Sequence, residues 1–282
     1  MTMKVSYYPG CALHGTALEY DESIQALSRM LGVEMCELPD WNCCGASSAH
    51  VTNESLAFSL PARNLAIAEA QGMDLVIPCA ACYGRVKGAE KEMLARRGTA
   101  GPKQNVRVLN LLEFIVTSDL SEKIRALLKR PLKGLKVACY YGCLLVRPPK
   151  VTGAKNFENP QEMDRLMALI GAEPVPWSYK TDCCGGSLVI TRTDIVRRLT
   201  QKLFDGALRA GAEAIVVVCP LCQSNLDSRQ EEISREVGKN YDLPVFYFTE
   251  LIGLAMGHRD AGKWFKRHFV NPAKLLAAKG LV

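Results

Sequence analysis

A chain of 282 residues that is 48% apolar and 23% charged has the make-up of a soluble globular protein, long enough for one large domain or two ordinary ones, and not of a disordered or fibrous chain. Its net charge of +6 comes from 35 basic and 29 acidic residues dispersed among one another, which argues against a nucleic-acid protein and leaves only a basic face toward an acidic partner or anionic substrate. No apolar run approaches the ~20 residues of a membrane span, and the opening MTMKVSYYPGC lacks a signal peptide's apolar core, so the expectation is a cytoplasmic protein without membrane insertion.

Residues 4–11, KVSYYPGC, read as a short strand ending in a Pro-Gly turn that presents Cys11 at its carboxyl end. Over 16–31 the apolar residues Leu18, Ile24, Leu27 and Leu31 recur near helical spacing, and Gly32 stops the helix. A strand over 34–38 leads through Asp40, Trp41 and Asn42 into a Cys-Cys-Gly turn at 43–45. A helix over 54–71 feeds the apolar strand 74–78, whose end carries Cys79 and Cys82, and another helix runs to about Arg97. A Gly/Pro-bearing loop at 98–105, a strand at 106–110 and a helix at 111–116 complete the unit.

A basic amphipathic stretch at 121–134 connects this unit to a second one, where the pattern restarts. KVACYYGC (136–143) overlays KVSYYPGC without a gap, and LIGAEPVPW (169–177) matches MLGVEMCEL (30–38). EAIVVVCPLC (213–222) matches MDLVIPCAAC (73–82), and ELIGL (250–254) matches EFIVT (113–117). Strands alternating with helices and ending in candidate site residues predict α/β domains with mostly parallel sheets, related by a pseudo-twofold axis, with ligands at the strands' carboxyl ends. The expected division is a domain at 1–120, a linker at 121–135, a second domain at 136–257 and a basic tail at 258–282.

Ten of the twelve cysteines fall into two sets, Cys11, Cys43, Cys44, Cys79 and Cys82, then Cys143, Cys183, Cys184, Cys219 and Cys222. Cys79 follows Cys44 by 35 positions and Cys219 follows Cys184 by 35, an interval two unrelated clusters would hardly share. Thiols in a reducing cytosol are metal ligands or redox groups more often than structural disulfides. A C-x-x-C pair at a strand-to-helix junction places two sulfurs where helix N–H groups favour the thiolate. Neighbouring side chains of extended backbone point apart, so Cys43 and Cys44 converge only through an unusual turn, which Gly45 permits by adopting positive φ. Such a turn also aims backbone N–H groups at anions. Structural zinc and a four-iron cubane each take four ligands, whereas each set here offers five. The fifth thiolate either stays free beside a conventional cluster or serves a larger, opened cluster, and soft sulfur selects iron-sulfur or zinc over calcium and magnesium.

The doubled pattern of lone Cys, Cys-Cys-Gly and C-x-x-C, with YYPGC, LPDWNCCGASSAH, the LPARNL helix (60–65) and ELIGLAMG (250–257), resembles the B-subunit family of heterodisulfide reductases over nearly the whole chain. The resemblance implies a catalytic oxidoreductase subunit holding two noncubane [4Fe-4S] clusters that cleave a mixed disulfide. Cys11, Cys43, Cys44, Cys79 and Cys82 would hold the first cluster, and Cys143, Cys183, Cys184, Cys219 and Cys222 the second, with zinc at one site as the lesser alternative. It further implies partner subunits that are C-like, with ferredoxin-type [4Fe-4S] clusters, and A-like, with a flavin. In methanogens the substrate is the disulfide of coenzyme M and coenzyme B. The GASSAH continuation departs from the Pro-Ala-Pro-Gly type of those members, which leaves room for other thiols, persulfides or protein-bound sulfur. Two clusters facing each other across the pseudo-twofold would each supply one electron to a disulfide, or accept one from thiols in the reverse direction. The alternative is an electron-transfer subunit of a related oxidoreductase without sulfur chemistry of its own. The lack of a ferredoxin-type cysteine run in this chain favours a terminal site over a wire.

Outside the sets, Cys36 and Cys139 read as small buried apolar residues. His14 and His50 stand close in sequence to ligands and would suit proton donation, His14 the more so, although most histidines only pack or hydrogen-bond. Arg147, four positions after Cys143, would hold an anionic substrate group or, more commonly, pair with a carboxylate. Trp41 reads as a shield for the first site. In the tail, Arg259, Lys263, Lys266, Arg267 and Lys274 surround Trp264 and Phe265. A basic stretch is usually a solvated face, and the aromatic residues make a docking surface for a partner the second reading.

Overall fold

A computed structural model describes residues 2–46, 48–97 and 106–282. The loop expected at 98–105 lies outside the described residues. The first half runs β1 (Met3–Tyr7), α1 (Gly10–Leu13), α2 (Leu18–Leu31), β2 (Val33–Glu37), α3 (Ala49–Thr52), α4 (Glu54–Gln71), β3 (Leu75–Ile77), α5 (Ala80–Arg97), β4 (Val108–Asn110) and α6 (Leu111–Thr117). After α7 (Leu120–Ala126) come β5 (Lys136–Tyr140), α8 (Pro149–Thr152), α9 (Glu162–Leu169), β6 (Glu173–Pro174), α10 (Thr193–Arg209), β7 (Ala214–Val217), α11 (Pro220–Ser228), α12 (Gln230–Val237), β8 (Val245–Tyr247) and α13 (Phe248–Ala255). The tail adds α14 (Ala261–Trp264) and α15 (Ala273–Ala278).

The strands form two four-stranded, all-parallel sheets of equivalent order, β2-β1-β3-β4 and β6-β5-β7-β8. Strands β3 and β7 are buried throughout, as parallel strands covered by helices on both faces must be, and their continuous apolar runs supply that burial. Local sequence sets the helix ends. Gly32 closes α2 and Gly72 closes α4, both in the left-handed region that glycine enters without a Cβ penalty. The Asn53 side chain caps α4 by accepting from the Leu56 N–H at 2.9 Å.

The halves exchange their final helices. Helix α13 of the second half packs on α2 of the first, and α6 of the first packs on α9 of the second, as a pseudo-twofold axis requires. On the α2–α13 side the Ser23 and Thr249 hydroxyls are 2.7 Å apart and Tyr20 Oη donates to the Val218 carbonyl at 3.0 Å, all buried. The connection between the halves is more than a tether, because it carries α7 and buries Leu120, Ile124 and Leu132.

The tail folds back onto the body. Trp264 and Phe265 are buried, so they cannot present the docking surface that their basic neighbours suggested. Arg267 makes a two-pronged pair with Glu22 at 2.7 and 2.9 Å, and Lys279 reaches Glu213 at 2.6 Å. The aromatic residues act as anchors, and the cations around them hold them down or stay solvated.

Candidate metal centre

Both cysteine sets gather at the carboxyl ends of the parallel strands. Cys11 lies in α1 just after β1, and Cys79 and Cys82 lie at the junction of β3 and α5. Cys143 follows β5, and Cys219 and Cys222 occupy the junction of β7 and α11. The Cys-Cys-Gly turns at 43–45 and 183–185 reach the same end from beyond β2 and β6.

Each set divides into three buried sulfurs and two nearer the surface. Cys44, Cys79 and Cys82 are buried, while Cys11 and Cys43 are exposed. In the second set Cys184, Cys219 and Cys222 are buried, Cys183 is exposed and Cys143 is half-buried. The buried sulfurs lie close together. Cys44 and Cys82 are 3.2 Å apart, Cys184 and Cys222 are 3.7 Å apart, and Cys82 perturbs Cys79 as Cys222 perturbs Cys219. Cys79 and Cys219 then interact across the boundary between the halves, each perturbing the other's thiol, so the two sets meet in one core.

The turns are built to accept sulfur. Gly45 and Gly185 have φ of 74° and 79°, and their N–H groups point at Cys43 Sγ (3.5 Å) and Cys183 Sγ (3.2 Å). Gly10 and Gly142, at φ 70° and 68°, stand where a Cβ would come within 3.0 Å of Cys82 Sγ and 3.1 Å of Cys222 Sγ. Only glycine combines that backbone with that clearance. Hydrogen bonds from Cys43 and Cys82, then a backbone N–H, pull Cys44 down to about 3 in spite of its burial. A bond from Cys143 lowers Cys183 to about 6, and bonds from Cys222 and Cys79 hold Cys219 well below the ordinary thiol range. Their partners Cys43, Cys79, Cys82, Cys143 and Cys222 are pushed up and keep their protons, so each half mixes thiolate, the form a soft metal binds, with thiol.

Among the described residues no three His, Cys, Asp or Glu side chains close round one point as a lone ion requires. The donor set nevertheless suits a soft polynuclear group. It has five sulfurs per half, glycine cradles that admit bulk beside Cys82 and Cys222, and backbone N–H groups directed at sulfur.

Several groups around the sulfurs were not singled out from the sequence. Tyr8 Oη donates to the Asn42 carbonyl at 2.9 Å and Tyr140 Oη to the Asp182 carbonyl at 2.6 Å. Each tyrosine thereby pins the residue just before a Cys-Cys pair, and the overlay of KVSYY on KVACY was the available clue. Arg85, one helical turn beyond Cys82, is a half-buried cation that interacts electrostatically with Cys44. Asn225 holds the equivalent position in the second half and donates to the Cys184 carbonyl at 2.6 Å.

The other predicted residues take quieter places. His14 Nε2 lies 3.3 Å from Glu37, and its ring stands edge-on to Trp41. Trp41 donates to Glu37 at 2.7 Å and packs edge-on to Tyr8, so it braces the tyrosine behind the first turn. His50 is half-buried on α3 with Nδ1 unpartnered. Arg147 pairs with Glu158 at 2.7 Å and reaches Thr181 Oγ1 at 3.1 Å. Cys139 is fully buried in β5, and Cys36 is half-buried in β2.

Residues 5–87 and 137–227 each match the cysteine-rich domain family designated CCG. The chain is 30% identical to an 8-methylmenaquinol:fumarate reductase membrane anchor subunit of Wolinella succinogenes, over 91% of this chain and 93% of that one. It is 26% identical to the B subunit of a ferredoxin:CoB-CoM heterodisulfide reductase of Methanosarcina mazei (97% and 96% covered) and 26% identical to a protein of Archaeoglobus profundus described as like the B subunit of heterodisulfide reductase (90% and 91%). A crystal structure of a hypothetical protein from Helicobacter pylori shares the fold at TM-score 0.73 and 13% identity, covering 96% of this chain and 52% of that one. No helix among the described residues is long and apolar enough to cross a membrane.

Proposed function

The chain belongs to the CCG cysteine-rich-domain family, as a tandem member of the type found in heterodisulfide reductase B subunits, and from that premise we propose that it is the catalytic iron-sulfur subunit of a complex that reduces a disulfide. In the reverse direction it would oxidise thiols or sulfane sulfur. Its relatives include heterodisulfide reductase B subunits, a subunit of a fumarate reductase and an iron-sulfur protein. Electrons would come from ferredoxin-type and flavoprotein partner subunits in the cytoplasm. The net change takes two electrons and two protons into one disulfide, breaks its S–S bond and releases two thiols.

Cys11, Cys43, Cys44, Cys79 and Cys82 would hold one group within the domain at 1–120, and Cys143, Cys183, Cys184, Cys219 and Cys222 the other within 136–257. A noncubane [4Fe-4S] cluster bound at each set would supply single electrons and a sulfur-seeking metal. The chain's own residues do the rest. The inner three sulfurs of each set are shut away from water, and the outer pair faces the side from which a substrate can come. Tyr8 and Tyr140 fix the turns that carry the outer sulfurs. The observation that carries the reading is that both five-cysteine sets gather at the carboxyl ends of their sheets and meet at Cys79 and Cys219, which would put two one-electron sites within reach of one two-electron substrate.

Anaerobic purification should yield about eight iron atoms per chain with matching acid-labile sulfide. The protein should reduce a small disulfide with dye-supplied electrons, and a thiol product should perturb the paramagnetic signals of both halves. Zinc in place of iron, or a response from only one half, would overturn the paired reading.

A second reading has the 30% identical relative behind it, since that protein is named as the anchor subunit of a quinol-linked fumarate reductase. Here the chain would pass electrons between a quinol and a reductase partner and leave disulfides alone. Dye-reduced protein that fails with disulfides but is reoxidised by a menaquinone analogue would select it.

A further inference from the structure

The internal repeat fills a cleft on one side of the pseudo-twofold axis and leaves its counterpart open on the other. Strand registers pair Asn110 with Ile77 and Tyr247 with Val217, which makes Asn110 and Tyr247 equivalent. The same offset relates Glu113 to Glu250 and Val116 to Gly253. On the filled side Tyr20 lies flat on Tyr247, with ring centroids 4.0 Å apart and planes within 4°. Trp264 covers Gly253, where a Cβ would come within 2.7 Å of the indole. His268 Nε2 sits 2.9 Å from Glu250 Oε1, and the carboxylate is fully buried.

On the open side Asn110 stands where Tyr247 stands. Asn110, Val116 and Glu113 line a cavity of about 410 Å³, within the usual size of a small-molecule site, whose lining includes Tyr83 and Tyr141 but no tryptophan or histidine. Leu112 and Leu145 supply apolar wall, Glu113 is exposed to the space, and Tyr83 Oη lies 3.5 Å from Glu113 Oε2. The space therefore keeps the carboxylate acceptor of the filled side without the indole and imidazole that cover it there, and offers tyrosine rings as partners for stacking.

We propose that this cleft binds a small planar aromatic molecule of about two fused rings carrying an O–H or N–H on its edge. The ring lies where Tyr247 and Trp264 lie in the counterpart, and the edge donor reaches Glu113 as the His268 imidazole reaches Glu250. No cysteine is among the residues lining the cavity, and the proposal does not rest on the sulfur reading.

The test uses the full chain, purified anaerobically with its iron content measured, and two probes of the same ring system, 2-naphthol and 2-methoxynaphthalene. Fluorescence titration should show saturable binding of 2-naphthol at least about tenfold tighter than its methyl ether, since only the naphthol can donate. Glu113→Ala should erase that preference. Val116→Trp, which places an indole where Trp264 sits on the other side, should weaken binding about tenfold or more, with unchanged thermal unfolding showing that the fold persists. Thr117→Trp, at an exposed position of the wall, should do the same and decides the matter if Val116→Trp does not fold. Absence of saturable 2-naphthol binding, equal binding of the two probes, or wild-type affinity in a folded tryptophan variant would overturn the proposal. None of these results would alter disulfide turnover or iron content, so the two readings fail separately.

Discussion

Cys79 and Cys219, the opening residues of the two C-x-x-C pairs, interact across the boundary between two halves whose sequences were otherwise free to diverge. Both are almost fully buried. Replacing Cys79 with alanine should cost the chain roughly half its iron, about four atoms of eight, and abolish disulfide reduction. Cys219→Ala should do the same from the other side. Iron and sulfide analysis of the anaerobic variants checks this, and full iron content in either would remove that cysteine from the ligand set.

The paired glycines make a second prediction. Gly10→Ala and Gly142→Ala each force a side chain into positive φ, which costs about 1–2 kcal/mol. Each also drives a methyl group against the sulfur of Cys82 or Cys222. Thermal unfolding should fall in both variants, and iron should be lost only from the half that carries the change. Gly32→Ala is the control, since its φ is also 70° but nothing lies within 4 Å of its Cβ position. It should lose stability and keep its iron.

Arg85 breaks the symmetry that the cysteines keep. A cation near Cys44 favours the more negative, reduced state of the first site, whereas Asn225 in the second half contributes only a dipole. Because Arg85 is half-exposed, screening leaves an effect on the order of 1 kcal/mol, roughly 40 mV for a one-electron centre. Arg85→Gln should therefore lower one midpoint potential by about that much and leave the other in place. Redox titration followed by electron paramagnetic resonance reads both at once, and an equal shift in the two would show that the charge acts on the whole molecule.

Much of this arrangement was legible in the sequence because it is local or repeated. Hydrophobic runs ending in cysteine set β3 and β7, Gly32 marked a helix end, and the shared interval of 35 positions exposed the duplication. What stayed hidden depends on contacts between distant segments. Trp264 and Phe265 amid lysines and arginines read as a surface motif, since nothing in residues 258–282 announces that Gly253 leaves a seat for the indole. Arg85 was equally silent, because a single arginine in a helix is ordinarily solvated and only the fold brings this one beside Cys44. The tyrosines at 8 and 140 lay in the overlay itself, yet their hydroxyl contacts require the Cys-Cys turns to be in place first.

The tail's anchorage predicts a pH dependence. Burial pulls His268 toward the neutral form, but the Glu250 carboxylate outweighs it and raises the imidazole to about 9. Because the folded value lies above the ordinary one near 6.5, the pair's contribution is complete below about pH 6.5 and is lost as pH rises through about 9. At about 1.4 kcal/mol per unit the contribution is on the order of 3 kcal/mol. Asp227 accepts the Phe269 and Val270 N–H groups at 2.8 and 3.1 Å, so the backbone beyond His268 keeps its own hold when the imidazole loses its proton. Glu19, raised to about 6 mainly by its own burial, also faces this site, and its ionisation weakens the assembly between about pH 4.5 and 6, below the histidine's window. Amide exchange over residues 264–270 should thus accelerate between about pH 7 and 9.5 beyond the intrinsic base-catalysed increase. In His268→Gln that excess should vanish, with the tail already loosened at pH 6.5. Equal protection in wild type and variant at both ends of the range would show that Trp264 and the Asp227 contacts secure the tail without the ion pair.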